Sequence, residues 1–392
     1  MRVCLLNDSF PPAVDGVGRV IISYAENFKR FGCETVVAIP KYPDVDYGRY
    51  PFEIIPYRST RFLSNVTGYR CGKPYDKEAV RKIIEFKPDI LHAHFPFVST
   101  LLALRVKKRL HIPVVYTYHT KIDIDAKRVL KLNGVAKAAT RIMVHNIKCC
   151  DEIWCVNEGT AAHLKELGVN KKVKIMRNGV AFPRGPVSGQ KVREETDRFN
   201  IPENVPVFLF VGRMVRCKGI PMMLEAAEML KRRGIDFRLV FVGSGPDDRR
   251  IRRQAERLGL TDKADGKCIF VGPVYDCERL RAWYTRADLL ILPSIYDNDP
   301  LVVKEAAACA TASVLRKGSC AAEGKTDGHN AILTENSARS LGKSLAHAAS
   351  SPERVRTMGE NALNEVYYSQ EAAAEAAYRE YEEIIKRYGL RK

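Results

Sequence analysis

Apolar residues in this chain come in short runs, each followed by a longer stretch with helical spacing. Residues 2–7 (RVCLLN) read as a buried strand. A loop with Pro11-Pro12 leads to Gly16-Val17-Gly18-Arg19, after which Val20, Ile21, Tyr24 and Phe28 share one helical face. Strand 35–39 follows. The alternation then continues: helix 75–86 before strand 89–92, helix 97–110 before strand 113–118, helix 135–148 before strand 152–156. Residues 182–204, rich in Pro, Gly and charge, interrupt the pattern and predict a domain boundary. Beyond them, strands 207–212, 237–242, 268–272, 288–292, 312–316 and 330–334 alternate with helices 220–233, 247–258 and 277–286. An Ala/Glu-rich helical pattern closes the chain over 370–386. Short apolar strands separated by helices predict parallel sheets with crossover connections. The expected class is α/β, with two Rossmann-like doubly wound parallel-sheet domains facing a cleft.

Length agrees with two domains, since 392 residues exceed what one core usually holds. No apolar run reaches the ~18 residues that span a bilayer, and the N-terminal run is too short and too soon polar for a signal peptide. Eleven cysteines without a CxxC spacing suggest reduced thiols in a cytoplasmic protein. Charge changes the picture more. The net charge is +18, and residues 61–150 alone carry 18 Lys+Arg against 6 Asp+Glu. Such a surface favours an anionic partner. No nucleic-acid recognition motif accompanies it, so nucleic acid is not expected. The other anionic partner such a surface would suit is a membrane, expected to be met peripherally on the inner face of the plasma membrane; a generally basic, soluble surface is the alternative reading.

The candidate chemistry lies at strand ends. In DLLILPSIYDNDPLVVKEAAACA (288–310), a strand, a polar turn and a helix place Asp297 and Glu305 eight residues apart. Pro300 reads as the first helical position, and the amides of Leu301 and Val302 would face the turn as an anion site. Arg213 and Lys218 follow the strand ending at Gly212; two cations there suit a diphosphate, Arg as a fork and Lys as a point charge. Gly243 and Gly245 make a further backbone-permissive turn. Gly16 and Gly18 do not fit a dinucleotide fingerprint, because residue 21 is Ile and no acid ends the second strand. A glycine loop near a phosphate or a simple tight turn both remain open. His92 and His94 lack further ligands at metal-site spacing, so no metal is expected. His119 ends a strand and suits a polar contact to a sugar.

Together these residues resemble the retaining glycosyltransferases of family 4, with their two-domain GT-B fold. The resemblance rests on Gly-Arg213-(four residues)-Lys218-Gly, Val-Gly243-Ser-Gly245-Pro, Asn178-Gly-Val, and the acids Asp297 and Glu305 seven residues apart in between. It implies an acceptor domain over 1–185, a nucleotide-sugar donor domain over 186–368, and a C-terminal helix over 369–392 that crosses back to the first. It further implies that Arg213 and Lys218 neutralise the donor diphosphate without a metal, with Asp297 on the donor sugar and Glu305 on the ribose. His119 is similar to a histidine near the transferred sugar. Gly16, Gly18, Gly212, Gly243, Gly245, Asn298, Pro300, Leu301 and Val302 would line the donor, with Val271 near the base. No cofactor is implied; a nucleotide-diphosphate sugar, UDP-glucose in type, is the substrate. The Tyr116–Thr120 stretch resembles members that glycosylate diacylglycerol, so a hexosyl transfer to a membrane lipid is expected. The alternatives are a soluble or polysaccharide acceptor, or a catalytically weak sugar-nucleotide-binding relative. Asp297 stands where the family has Glu, and Asn298-Asp299-Pro300-Leu301 replace its Phe-Gly-Leu.

Overall fold

Two parallel sheets, each with its own apolar core, organise the chain. The computed structural model describes residues 1–11, 16–43, 45–60, 70–130, 132–261 and 266–390. Contacts divide it into one unit of Met1–Gly179 with Gln370–Lys392, and a second of Val180–Ser369.

The first unit contains Arg2–Leu6 (β1), Glu34–Pro40 (β2), Glu53–Tyr57 (β3), a small antiparallel ribbon of Ser59–Thr60 (β4) and Cys71–Gly72 (β5), then Ile90–Ala93 (β6), Val114–Tyr118 (β7), Glu152–Cys155 (β8) and Val173–Ile175 (β9). The sheet order is β3-β2-β1-β6-β7-β8-β9, parallel throughout. Strands buried on both faces read as continuous apolar runs, which is why β1, β6 and β7 are almost wholly buried. Pro56 sits in the edge strand β3, where a missing N–H costs no ladder bond.

The second unit contains Val207–Val211 (β10), Arg238–Val242 (β11), Cys268–Gly272 (β12), Leu289–Leu292 (β13), Ala312–Arg316 (β14) and Ala331–Thr334 (β15). Its order is β12-β11-β10-β13-β14-β15, again parallel. Both sheets reverse direction beside their first strand, between β1 and β6 and between β10 and β13. Open α/β sheets bind ligands at such switch points. The expected doubly wound architecture is therefore present in both units.

Two expectations need correction. The boundary falls between Gly179 and Val180 rather than after residue 185, because Val180 and Phe182 enter the second core and Val180 N donates to Tyr368 O. Residues 182–204 are not a bare linker either. They include the helix Gly189–Thr196, and its Glu195 is buried against Arg279 Nε (2.7 Å) and Trp283 Nε1 (3.0 Å). Burying Trp283 requires a partner for its N–H, and that demand docks the segment.

The terminal helix Gln370–Gly389 packs on the first unit. Its anchor is Tyr381, wholly buried, with its ring 5.4 Å from that of Trp154 and 5.5 Å from that of Phe28.

Candidate active site

The second switch point is built by backbone approach before any side chain is considered. Gly243, after β11, has φ +138°, and a Cβ there would lie 1.9 Å from Gly212 O. Gly245 is pressed as closely on Met214, 2.4 Å from its carbonyl oxygen on the same test. The loops are then laced: Gly212 N donates to Val242 O (3.0 Å), Met214 N to Ser244 O (2.9 Å) and Gly243 N to Gly272 O (2.8 Å). Gly219, at φ +83°, lets the loop after β10 settle on Pro293 at the end of β13, where a Cβ would meet Pro293 Cγ at 2.8 Å. Thus the residues read as phosphate-contacting glycines first serve to bring strand-end loops together.

That convergence joins residues 79 positions apart: Lys218 Nζ forms an ion pair with Asp297 Oδ1. Asp297 Oδ2 is buried and has no hydrogen-bond partner among the described residues. Arg213, on the same loop as Lys218, is exposed and forms no ion pair among the described residues. A buried carboxylate oxygen without a donor is costly unless a ligand completes it. An unpaired guanidinium nearby in sequence is suited to oxyanions.

The helix beyond the turn is Leu301–Ala308, so Pro300 is its N-cap, with extended ψ of 120°, and not its first helical residue. No side chain caps this helix, and the first-turn amides of Leu301 and Val302 lie ahead of its first intrahelical bonds. Asn298 is buried. Glu305 is only 4% exposed, and Tyr284 Oη donates to its Oε2 at 2.8 Å. Val271 is half-buried in β12, beside a Phe241–Phe270 ring stack at 5.0 Å.

Three residues here went unread in the sequence. Lys304, 5% exposed, donates to both oxygens of Asp299 at 2.7 and 2.6 Å, bracing the turn against the helix. Their spacing of five, with opposite charges across a helix start, was the available signal. Tyr284 orients Glu305. Asp247 accepts from Arg216 N at 2.9 Å, holding the loop that carries Lys218.

The remaining predicted residues lie in the first unit. Gly16 and Gly18 open the helix Gly16–Phe28 and are not a loop; Gly18 is buried within it. Two glycines in a first turn remain compatible with the helical φ they adopt. Pro12, of the preceding loop, lies outside the described residues, as does Lys131 of the basic stretch. His119 Nε2 is 2.9 Å from His94 Nδ1. His94 stacks near His92, ring centres 4.0 Å apart. His92 in turn bonds Thr117 Oγ1 at 2.6 Å and Tyr381 Oη. Burial, reinforced by the neighbouring imidazoles, holds His92 and His94 well below the usual histidine range, so both are neutral at pH 7. Among the described residues, no group of three or more His, Cys, Asp or Glu is placed to hold a metal.

At the first unit's switch point stands Asp8, also unread. Its carboxylate accepts from Val98 N (3.0 Å), Ser99 N (2.8 Å) and Tyr57 Oη (2.6 Å). Burial pushes it up to about 6 despite those donors.

With both sheets and their strand-end residues placed, similarity to known proteins becomes informative. A family model described as Glycosyltransferase Family 4 matches residues 14–182, and one described as Glycosyl transferases group 1 matches 191–365. The chain belongs to the group 1, family 4 glycosyltransferases. It is similar to the alpha-monoglucosyldiacylglycerol synthase of Acholeplasma laidlawii, 25% identical over 98% of each chain. The protein of that name from Streptococcus pneumoniae is 26% identical over 79% of this chain and 70% of its own. D-inositol 3-phosphate glycosyltransferase 2 of Catenulispora acidiphila is 27% identical over 70% and 66%. Among solved structures, sucrose-phosphate synthase from Thermosynechococcus elongatus matches with a TM-score of 0.79 and 19% identity, covering 98% of this chain and 99% of that one. Anabaena HepE in complex with UDP matches with a TM-score of 0.77 and 15% identity, covering 97% and 99%. This glycosyltransferase thus shares its fold along almost its whole length with GT-B enzymes.

Proposed function

We propose that this glycosyltransferase moves a hexose, with retention of configuration and without a metal, from a nucleoside-diphosphate sugar to a membrane lipid of the diacylglycerol type. The observation that carries the donor half is the meeting of Lys218 and Asp297 at the β10–β13 switch point, beside the unpaired Arg213. Breaking the anomeric C–O bond leaves positive charge on the sugar and an additional negative charge on the diphosphate. Arg213 and Lys218 neutralise the leaving group, and the uncapped helix end at Leu301 and Val302 adds oriented amide dipoles. Asp297 Oδ2 accepts from a sugar hydroxyl, which completes its hydrogen bonding, while Oδ1 holds Lys218 in place. Glu305, oriented by Tyr284, receives the ribose hydroxyls. His119, held by His94, is the polar group of the first unit suited to a sugar hydroxyl. In the step itself, the acceptor hydroxyl oxygen bonds to the anomeric carbon on the face the phosphate leaves. Its proton passes to the departing phosphate oxygen.

The lipid half is supported by the end-to-end match to a monoglucosyldiacylglycerol synthase and by the basic excess over 61–150. Among the described residues no helix is long and apolar enough to cross a membrane, so contact with such an acceptor would be peripheral. The partial match to inositol-phosphate enzymes favours a second reading, a soluble polar acceptor. Incubation with UDP-[¹⁴C]glucose, with and without chelator, against diacylglycerol in mixed micelles and against inositol phosphate separates the two. Label should enter an organic-soluble product cleaved by an α-glucosidase. Transfer only to the soluble acceptor would replace the lipid reading, and a β-linked product would end the retaining one.

A further inference from the structure

The helix Leu301–Ala308 begins among acids, yet no side chain among the described residues caps it. Each nearby carboxylate is turned to another partner. Asp297 Oδ1 pairs with Lys218, Glu305 Oε2 accepts from Tyr284 Oη, and both oxygens of Asp299 accept from Lys304 Nζ, at 2.7 and 2.6 Å.

Asp299 is the acid whose absence from the helix start needs a cause. Leu301 and Val302 stand two and three residues after it. Elsewhere in this chain an Asp takes amides at that spacing. Asp76 accepts from Glu78 N (3.1 Å) and Ala79 N (3.3 Å), and Asp276 from Arg279 N (2.8 Å). A carboxylate at a helix start gains orphan donors and a favourable dipole. Lys304 offers Asp299 more, a full cationic charge against the partial charges of amides. The pair is also enclosed, its side chains 6% and 11% exposed. Parting it would strand a charge away from water, so the pairing persists.

We propose that Lys304 is a positioning residue that keeps Asp299 off the amides of Leu301 and Val302, and so leaves that helix start open to the phosphates of a nucleoside diphosphate. This deepens the donor half of the proposed function and rests on it. The Lys218–Asp297 pair marks the site, and Lys304 accounts for its being open. The first unit shows the alternative: there Asp8 accepts from Val98 N and Ser99 N, and the helix start is filled by the protein's own anion. Without Lys304, Asp299 becomes an occupant of the same kind, which a nucleotide must displace.

The test is titration calorimetry of the full chain with UDP, ADP and GDP, the tightest of which is carried forward. Lys304→Met should weaken binding on the order of 30-fold, the worth of a charge-assisted bond to phosphate. Asp299→Asn frees no competing anion and should stay within about threefold of the parent. The double change Lys304→Met, Asp299→Asn should return to the same range, roughly threefold or less from the parent. In NMR spectra of the nucleotide-free protein, the amide signals of Leu301 and Val302 should shift in Lys304→Met and move back in the double variant. Loosened packing would not be reversed in that way. Parental affinity in Lys304→Met with those amides unmoved overturns the proposal and leaves the donor reading standing. A double variant as weak as Lys304→Met overturns it as well, since the lysine would then act through packing or its own charge. Should Lys304→Met not fold, Asp299→Asn decides: retained affinity supports a restrained competitor, and a loss of about tenfold makes Asp299 a ligand contact instead. If the parent binds none of the three nucleotides, the donor reading falls with the proposal.

Discussion

At the switch point between β1 and β6, Asp8 fills the space with the protein's own anion. It takes the amides at the start of the helix Val98–Leu110 and the hydroxyl of Tyr57. At the switch point between β10 and β13, the helix Leu301–Ala308 has no side-chain cap, Arg213 has no ion-pair partner among the described residues, and Asp297 keeps one oxygen unbonded. The two sheets share a strand order, so topology alone does not separate them. Local chemistry does. A helix N-terminus that finds a carboxylate within its own unit has its dipole satisfied and offers less to an external anion. One that finds none, beside two cations, remains available for a phosphate. The same architecture therefore serves as a closed, self-neutralised end in one unit and an open, charge-seeking end in the other.

Altering the open end should give the largest effects. Gly243→Ala forces a Cβ against Gly212 O at a φ that L residues rarely adopt, and unlaces the β10 and β11 loops. Strain and clash together should cost roughly 4 kcal/mol, read as a lowered urea midpoint. A midpoint within a few tenths of the parent's would mean that the loops relax freely. Lys218→Ala removes a cation from the open end and leaves Asp297 unpaired. Turnover should drop on the order of 10²-fold or more, or ~3 kcal/mol of transition-state stabilisation. Near-parental kcat in saturating donor would sink the assignment of Lys218 to the leaving group.

The closed end predicts a pH signature of smaller size. Folding raises the Asp8 carboxyl to about 6, so the folded state holds that proton more tightly than the unfolded chain. The group's contribution is complete below the ordinary carboxylate range and is lost as pH rises through about 6. Its loss amounts to about 2–3 kcal/mol between roughly pH 4 and 7. Asp8→Asn should remove that slope from a series of urea midpoints against pH, whatever it does to the absolute stability. An unchanged slope would show that Asp8 is not an enclosed anion, and the contrast between the ends would weaken. Smallest is Tyr381→Phe, which deletes the hydroxyl bonded to His92 and leaves the ring in place. A loss of about 1 kcal/mol is expected, with the imidazole signals of His92 and His94 shifted in NMR spectra. No spectral change would separate the histidine row from the terminal helix.

The first of these contrasts was only half readable in the residues. Every strand of the second sheet was placed by its apolar run, because strands covered by helices on both faces are continuously apolar. In the first unit β3 and β9 escaped. Pro56 interrupts the run of β3, and β9 is three residues long and only partly buried. The short helices Ile122–Leu130 and Glu158–Glu166 also escaped, each being nine residues long and thus barely two turns of pattern. Arg213, Lys218, Asp297 and Glu305 were singled out because charge at the C-terminal end of a parallel strand has few structural reasons to be there. Asp8 was passed over because its partners, Val98 and Ser99, stand 90 and 91 residues away and are ordinary backbone amides.

By itself, the sequence determined the alternation of strands and helices, hence the two doubly wound sheets, and the strand ends at which chemistry could gather. These follow from periodicity, a local property that each segment carries independently. Tertiary structure decided which of those ends is open. It set Asp8 on a helix start, drew Lys218 to Asp297 across 79 residues, and buried Glu305 behind Tyr284. Such pairings depend on loops converging at a crossover, where approach distances of backbone to backbone, as at Gly243 and Gly212, select one arrangement among many that the same residues would otherwise allow.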